Sequence, residues 1–345
     1  MTDHPSRPSS TACTGAGGRP DVHDDSRDFA KAAAFYLQLR PRQLPSRFLY
    51  DALGSALFDA ICHLPWYGIT RAELQLLRRH APTIGQAFGQ GGRVVELGCG
   101  NGEKLAALLT HAGVADVRAH LIDLSAAALA RAVRTLATID GPDLRVTTHQ
   151  AAYEDGLLAL SEDAHPTVVA FLGSNIGNFD PPGAAAFLGL VRAALRPRDC
   201  LLLGLDLVKP EPALLRAYDD PLGLTGAFNR NLLQRMNAEL GANFDLNRFA
   251  HRAVWNRDAS RVEMHLVSLA AQEVDVAACE LRFRLEEGET IWTESSYKYQ
   301  PQSVRQLVEP AGFVERRQWI DEDARFALAL FEAVDGSAPG SAAIA

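Results

Sequence analysis

The central part of the chain alternates between short apolar runs and segments with helical spacing. The apolar runs are short enough to be buried β-strands, and the segments between them have the spacing of amphipathic helices. The strand-like runs are 93–97, 117–123, 143–149, 166–172 and 200–207, and the helical segments are 104–109, 125–136 and 184–195. Strands that alternate with helices are typical of a mostly parallel sheet covered on both faces. We therefore predict a doubly wound α/β core over residues 83–210.

Residues 29–82, ahead of this core, have helical periodicity and several aromatic side chains. Thr70 and Glu73 have the spacing of a capping box, in which the hydroxyl and the carboxylate satisfy backbone N–H groups at a helix start. This pattern predicts a helix that begins at Thr70 and ends near His80.

The strand and helix repeat ends after the fifth strand-like run. Residues 211–240 are mostly helical in pattern, whereas residues 262–269 and 281–285 alternate between apolar and polar positions, as half-buried strands do. We predict an inserted lid or second domain over residues 211–297. Residues 298–335 return to the core as a helix and two strands.

The two ends of the chain differ from the rest in composition. Residues 1–28 are rich in Ser, Thr, Gly, Pro and Asp and contain almost no large apolar side chain. Such a segment buries too little apolar surface to offset the entropy of ordering. We predict a disordered tail over residues 1–28 and a flexible tail over residues 336–345.

A glycine loop joins the first core strand to the following helix. Gly98, Gly100 and Gly102 follow Glu96 with G-x-G-x-G spacing, which allows the backbone to turn tightly beneath a ligand. Asp123 ends the next strand about 20 residues later, the offset at which doubly wound folds place an acid that binds ribose hydroxyls. The pattern resembles the first motif of class I S-adenosylmethionine-dependent methyltransferases. That resemblance implies a mostly parallel, seven-stranded sheet closed by an antiparallel hairpin.

Composition narrows the class of function. The chain of 345 residues is 47% hydrophobic and carries a formal net charge of -8, which disfavours a nucleic-acid-binding role. No apolar run reaches the roughly 18 residues that span a membrane. We expect a cytoplasmic monomer with no nucleic-acid or membrane partner. The cysteines are scattered without a C-x-x-C pair, and we expect them to be reduced: Cys13, Cys62, Cys99, Cys200 and Cys279.

Several sequence blocks together resemble one family, the histidine-specific Nα-methyltransferase of ergothioneine biosynthesis, which trimethylates the α-amine of free L-histidine. The similarity extends over roughly residues 40–335. The blocks that carry it are 48–58, 64–71, 171–178, 215–220, 227–231, 262–264 and 293–296.

This resemblance implies roles for particular substrate-binding residues. Tyr67, Asn178 and Tyr218 would hold the carboxylate and amine end of histidine, near Gly173. Glu294 and Ser296 would bind the two imidazole nitrogens, because a neutral imidazole offers one donor and one acceptor. The remaining predicted contacts are Met264, packed near the ring, and Tyr50 and Phe58, which would wall the amine.

The resemblance also implies S-adenosyl-L-methionine as cofactor. Its predicted contacts are Tyr50, Gly98, Gly100, Lys104, Asp123, Ala152 and Tyr153, with Lys104 meeting the methionine carboxylate. One departure concerns adenine, since the family has Asp-Phe where this chain has Ala152 and Tyr153. Tyr153 can still stack on the base, and Glu154 or Asp155 could supply the missing carboxylate.

Alternatives to histidine methylation remain open at this point. A change in the pocket near Met264 or Ser295 would suit another small amine or amino acid, and the Ala152 departure allows a catalytically silent, cofactor-binding relative. No metal site is predicted. His63, His149 and His265 stand singly in the sequence, and we assign them no catalytic or metal-binding role.

Overall fold

The computed structural model describes residues 22–141, 143–160 and 165–335, with backbone only at 22–25. The helices are α1 (Val22–Tyr36), α2 (Ala52–Cys62), α3 (Ile69–Phe88), α4 (Glu103–His111), α5 (Ala126–Leu136), α6 (Tyr153–Leu158), α7 (Pro181–Ala193), α8 (Glu211–Tyr218), α9 (Leu224–Leu240) and α10 (Ser303–Val308). The strands are β1 (Arg42–Gln43), β2 (Gly92–Leu97), β3 (Asp116–Asp123), β4 (Asp143–Gln150), β5 (Thr167–Phe171), β6 (Cys200–Asp206), β7 (Phe249–Asn256), β8 (Arg261–Ser268), β9 (Gln272–Val276), β10 (Leu281–Leu285), β11 (Thr290–Tyr297), β12 (Phe313–Asp321) and β13 (Phe326–Ala333).

Within the described residues, seven strands form the main sheet in the order β12-β13-β6-β5-β2-β3-β4. Strands β2 to β6 pair in parallel, and β13 joins β6 antiparallel as part of the terminal hairpin. The predicted α/β class and the mostly parallel seven-stranded sheet are therefore confirmed. The order reverses beside β2, and this switch point places the carboxyl ends of β2 and β5 at the usual ligand-binding edge.

Neighbouring residues on the central strands belong to different hydrophobic cores. Val94 packs into the core that includes Leu108 of α4, whereas Val95 packs into the core that includes Phe187 of α7. Both valines are fully buried. A strand covered on both faces has no need of polar alternation, which explains why β2, β5 and β6 are continuous apolar runs in the sequence.

The chain between β6 and α10 forms a second layer over the carboxyl edge of the main sheet. Helices α8 and α9 precede a four-stranded sheet in the order β1-β11-β8-β7, and β9 pairs with β10 in a separate hairpin. The two-residue strand β1 comes from the N-terminal segment and pairs parallel with β11. Helix α2 packs on α9. Elements far apart in sequence thus pack together over this edge of the main sheet. The division of the chain into domains stays a prediction.

The structure corrects two predictions in the N-terminal segment. Helix α1 begins at Val22, so residues 22–28 are helical and do not belong to the predicted tail. Residues 1–21 and 336–345, where the rest of the two tails was predicted, lie outside the described residues.

The predicted capping box is also wrong. Helix α3 begins after Gly68, which makes no side-chain cap, and Thr70 lies inside the helix. The helix continues past His80 and through Pro82, because a buried apolar stripe extends to Phe88. Glu73 is fully buried, and its carboxylate contacts Lys104 and the Gly173 N–H instead of capping the helix.

The helices of the described ranges include none that combines the length and the apolar character required to cross a membrane.

Candidate active site

The glycine loop lies between β2 and α4 and depends on left-handed backbone. Gly98, Gly100 and Gly102 have φ values of 71°, 53° and 77°. A Cβ on Gly102 would lie 2.8 Å from Cα of Ala132, and one on Gly98 would lie 2.8 Å from the Tyr153 hydroxyl. A Cβ on Gly100 would meet no atom within 4 Å. Two glycines therefore permit close packing, whereas the third leaves open space above the loop.

Asp123 ends β3 beside this loop, as the sequence predicts. Its carboxylate accepts hydrogen bonds from the backbone N–H groups of Gly100 (3.2 Å) and Ser125 (2.9 Å). Burial raises the pKa of Asp123, and these two N–H groups act in the opposite direction. A carboxylate offers about four acceptor sites, so further capacity remains for ligand hydroxyls.

Glu73 links helix α4, which follows the glycine loop, to the turn after β5. Its carboxylate accepts from the Gly173 N–H through both oxygens (2.8 and 2.9 Å) and pairs with Lys104 Nζ at 2.8 Å. Burial alone would lower the pKa of Lys104, but the Glu73 charge raises it overall. Lys104 thus carries a full charge that Glu73 already partly neutralises. The sequence does not reveal this role of Glu73, because its spacing from Thr70 fits a helix cap.

Tyr153 lies under the glycine loop at the start of α6. Its ring packs edge-on against Phe171 at 5.2 Å between centroids, and Ala152 is the residue before the helix. Glu154 and Asp155 are exposed in the first helical turn. The contribution of these residues to adenine binding stays a prediction.

The predicted substrate contacts line one cavity of about 440 Å³, counted with its open mouth. It lies between the carboxyl edge of the main sheet, α2, α8 and β11. The structure brings together all of them: Tyr50, Phe58, Tyr67, Gly173, Asn178, Tyr218, Met264, Glu294 and Ser296. The same cavity is also lined by Ile61, Ser174, Asn175, Ala217, Thr225 and Phe228, for which the sequence analysis assigned no role.

Aromatic rings form one wall of the cavity in a connected series. Ring centroids of Tyr50 and Phe58 are 5.5 Å apart, those of Phe58 and Tyr67 6.2 Å, and those of Tyr67 and Tyr218 6.4 Å. Phe228 of α9 lies 5.4 Å from Tyr50 and completes the wall. Edge-on contacts of this kind hold the rings in fixed orientations and present a π-rich surface that attracts cations.

Glu294 lines the same cavity from β11. The pairing of β11 with β8 shifts register between Trp292 and Glu294, and Glu294 then lies opposite Met264. Met264 is almost completely buried. Burial raises the pKa of Glu294 to about 7, while the charge of Lys298 acts in the opposite direction.

Lys298 and Asp206 form a buried ion pair beneath Tyr218 and Ser296. Lys298 Nζ lies 2.9 Å from Asp206 Oδ2, and their side chains are 0% and 2% exposed. The same ammonium donates to Tyr218 Oη at 2.7 Å and Ser296 Oγ at 2.8 Å. This ion pair was not predicted from the sequence. Lys298 stands two residues after Ser296, but nothing in the sequence indicates that it faces Asp206.

The charge distribution around the glycine loop fits a cationic nucleoside. Lys104, Glu73 and Asp123 lie near Glu96, and burial raises the pKa of Glu96 to about 8. Oε2 of Glu96 is buried without a hydrogen-bond partner among the described residues. With the open space above Gly100, these features suit a ligand that carries ribose hydroxyls and positive charge. The doubly wound sheet and this site together define a class I S-adenosylmethionine-dependent methyltransferase.

Comparison with known proteins places the chain more narrowly. The model of a family described as "Histidine-specific methyltransferase, SAM-dependent" matches residues 29–333. The chain therefore belongs to the histidine-specific, S-adenosylmethionine-dependent methyltransferase family.

Named relatives agree with this family. The chain is 40% identical over 296 residues to histidine N-alpha-methyltransferase of Mycolicibacterium smegmatis, covering 85% of this chain and 91% of that protein. It is 39% identical over 303 residues to the protein of the same name from Mycobacterium tuberculosis, with the same coverage. Ergothioneine biosynthesis protein 1 of Schizosaccharomyces pombe is 32% identical over 287 residues, which cover 80% of this chain and 37% of that protein.

Proposed function

We propose that this protein transfers methyl groups from S-adenosyl-L-methionine to the α-amine of free L-histidine, up to histidine betaine (hercynine), as a step of ergothioneine biosynthesis. The observation that carries this proposal is the placement of Glu294 and Ser296 in one cavity with Tyr67, Asn178 and Tyr218. Together these side chains offer hydrogen-bonding partners for an imidazole and for an amino acid's charged groups. The names of the most similar relatives support the same substrate.

Glu294 and Ser296 can each bind one of the two imidazole nitrogens. Glu294 is an acceptor when ionised, and Ser296 can donate its hydroxyl proton. A neutral imidazole has one N–H and one lone pair, so the two side chains complement it. Met264 supplies an apolar surface beside Glu294, because it lies opposite Glu294 on the neighbouring strand.

The amino-acid end lies toward the main sheet. Asn178, in the turn after β5, can donate its amide N–H to a carboxylate, and Tyr67 and Tyr218 line the same cavity. Burial raises the pKa of both phenols, although the charge of Lys298 opposes this for Tyr218. Both hydroxyls therefore stay protonated at neutral pH and act as hydrogen-bonding groups.

When bound, S-adenosylmethionine supplies a methyl group on a sulfonium, an electrophile that an amine lone pair attacks directly. Gly98, Gly100, Lys104 and Asp123 are the residues that would hold this cofactor, with Tyr50 and Tyr153 beside it. Since no nucleophilic side chain is needed, the protein's contribution is alignment of the amine.

The amine must be neutral to react, although an α-amine with pKa near 8 is mostly protonated at pH 7. Of the described residues that line the cavity, Glu294 is the one with a carboxylate, and the proposal assigns it to the imidazole, so no carboxylate is assigned to hold the amine's extra proton. The rings of Tyr50, Phe58 and Phe228 line the same cavity and can accommodate an amine that gains methyl groups and positive charge.

Mass spectrometry of the products tests the proposal. The purified protein is incubated with excess cofactor and one amino acid at a time, including histidine, its monomethyl and dimethyl forms, and tryptophan. We expect trimethylated product from histidine and from both intermediates. Methylation of another amino acid with none of histidine would contradict the proposed substrate, and accumulation of monomethylhistidine would contradict trimethylation.

A further inference from the structure

Lys298 lies beneath the substrate cavity with every donor used. Its side chain is fully buried. An ammonium has three N–H donors, and here they point to Asp206 Oδ2, Tyr218 Oη and Ser296 Oγ at 2.9, 2.7 and 2.8 Å. Both hydroxyl oxygens therefore accept from Lys298.

The two hydroxyls also bond to each other, at 2.9 Å between Tyr218 Oη and Ser296 Oγ. One of their two protons must lie between them, so one remains. When the Tyr218 hydroxyl donates to Ser296 Oγ, that oxygen accepts two hydrogen bonds, one from Tyr218 and one from Lys298. The Ser296 hydroxyl can then only donate its own proton into the cavity. Tyr218 then keeps an acceptor site. The pair can thus present one donor to a ligand, but never two.

This restriction matches a particular form of the substrate ring. A Ser296 hydroxyl that only donates requires a ring nitrogen with a free lone pair, and ionised Glu294 requires an N–H on the other nitrogen. An imidazolium has no free lone pair. The ammonium of Lys298, which is hydrogen-bonded to Ser296, also disfavours a positive charge on the substrate ring.

Resting on the proposed function, we propose that Lys298 is a positioning residue that orients the Tyr218 and Ser296 hydroxyls, so that the site accepts histidine as a neutral imidazole with its N–H toward Glu294. Asp206 keeps the lysine charged, since burial alone would lower the pKa of Lys298 and the Asp206 charge raises it. Lys209 Nζ also lies 2.6 Å from Asp206 Oδ1, but it makes no contact with either hydroxyl.

A double-mutant cycle tests whether Lys298 acts through Ser296. Lys298→Met, Ser296→Ala and the combined variant are compared for histidine affinity by calorimetry, with S-adenosylhomocysteine affinity measured in parallel. Each single variant should bind histidine about tenfold or more weakly, whereas adding Lys298→Met to Ser296→Ala should cost less than about threefold more. Lys209→Met is the matched control and should retain the parent's histidine affinity. Additive losses would overturn the proposal, because a purely structural lysine would not depend on the hydroxyl.

A second measurement uses the parent protein and does not depend on the folding of any variant. Nitrogen NMR of ¹⁵N-labelled histidine, bound with S-adenosylhomocysteine, distinguishes protonated from unprotonated ring nitrogens. We expect one protonated and one unprotonated ring nitrogen in a single tautomer at a pH above 7, where Glu294 is ionised, whereas neutral imidazole in water exchanges between two tautomers. A bound imidazolium would overturn the proposal. If the parent methylates no histidine, the proposed function fails and the ring assignment with it; if it does, these experiments decide the role of Lys298 alone.

Discussion

The cofactor side and the substrate side of the active site are built in different ways. Most of the proposed cofactor contacts come from one short stretch, in which Gly98 to Asp123 form a loop, a helix and the end of a strand. The substrate side draws on residues from Tyr50 to Lys298 and holds a buried ion pair beneath its hydroxyls. Backbone conformation shapes the first half, whereas buried side-chain charge shapes the second. A substitution in one half should therefore leave the ligand preference of the other unchanged.

A substitution of Glu73 should affect both sides of the site, and we expect its effect to be the largest of the changes proposed here. It pairs with Lys104 on the cofactor side and binds the Gly173 N–H on the substrate side. Glu73→Ala leaves a partly buried cation and a backbone donor without their partner, and loss of a buried partner typically costs about 3 kcal/mol or more. We expect a matching fall in the free energy of unfolding, measured with denaturant, and weaker binding of both ligands. Unchanged affinity for one ligand would show that Glu73 serves only one side.

Glu294→Ala should affect the substrate side alone. Loss of a charge-assisted hydrogen bond, worth about 1.5 to 3 kcal/mol, should lower kcat/KM for histidine by roughly ten- to a hundredfold or more. Tryptophan needs no such acceptor and should lose little. Glu263→Ala is a matched control, because that carboxylate lies on the paired strand β8 but binds Arg261. If the variant kept the parent's preference for histidine, the ring assignment would be wrong.

Asp123→Ala should affect the cofactor side alone. Its removal deprives two ribose hydroxyls of a charged acceptor and should weaken S-adenosylhomocysteine binding by about 1 to 3 kcal/mol, as measured by calorimetry. The preference for histidine over tryptophan should stay the same, since both reactions use the same cofactor. Undiminished cofactor affinity in the folded variant would contradict the assignment.

The smallest expected effect is a pH dependence of substrate preference. Burial raises the pKa of Glu294 to about 7, so the carboxylate gains a proton as the pH falls through that value. The ratio of kcat/KM for histidine to that for tryptophan should decline several-fold below pH 7, because a neutral acid accepts more weakly. The ratio cancels the titration of the α-amine common to both substrates.

The Glu294→Gln variant separates this effect from protonation of free histidine, because glutamine does not titrate. Its ratio should vary less with pH than the parent's. The other titratable groups that line the cavity are Tyr50, Tyr67 and Tyr218, whose pKa values burial raises, so they do not titrate in this range. Equal pH profiles in parent and variant would exclude Glu294 as the source.

The sequence alone determined the fold and the position of the glycine loop. Strands buried on both faces must be apolar throughout, and a tight turn above a ligand must use glycine, so both leave local patterns. The resemblance brought in the substrate contacts, and the structure places all of them around one cavity.

Only the tertiary structure decided which charges lie beneath that cavity. Glu73 is 100 residues from Gly173, and Lys298 is separated from Asp206 by residues 207–297, so neither pair produces a local pattern. In the sequence, Glu73 fits a capping box and Lys298 is an ordinary lysine. Their importance comes from burial. Away from water the attraction between two paired charges is stronger, and a buried charge that loses its partner destabilises the protein. Burial depends on the packing of segments distant in sequence.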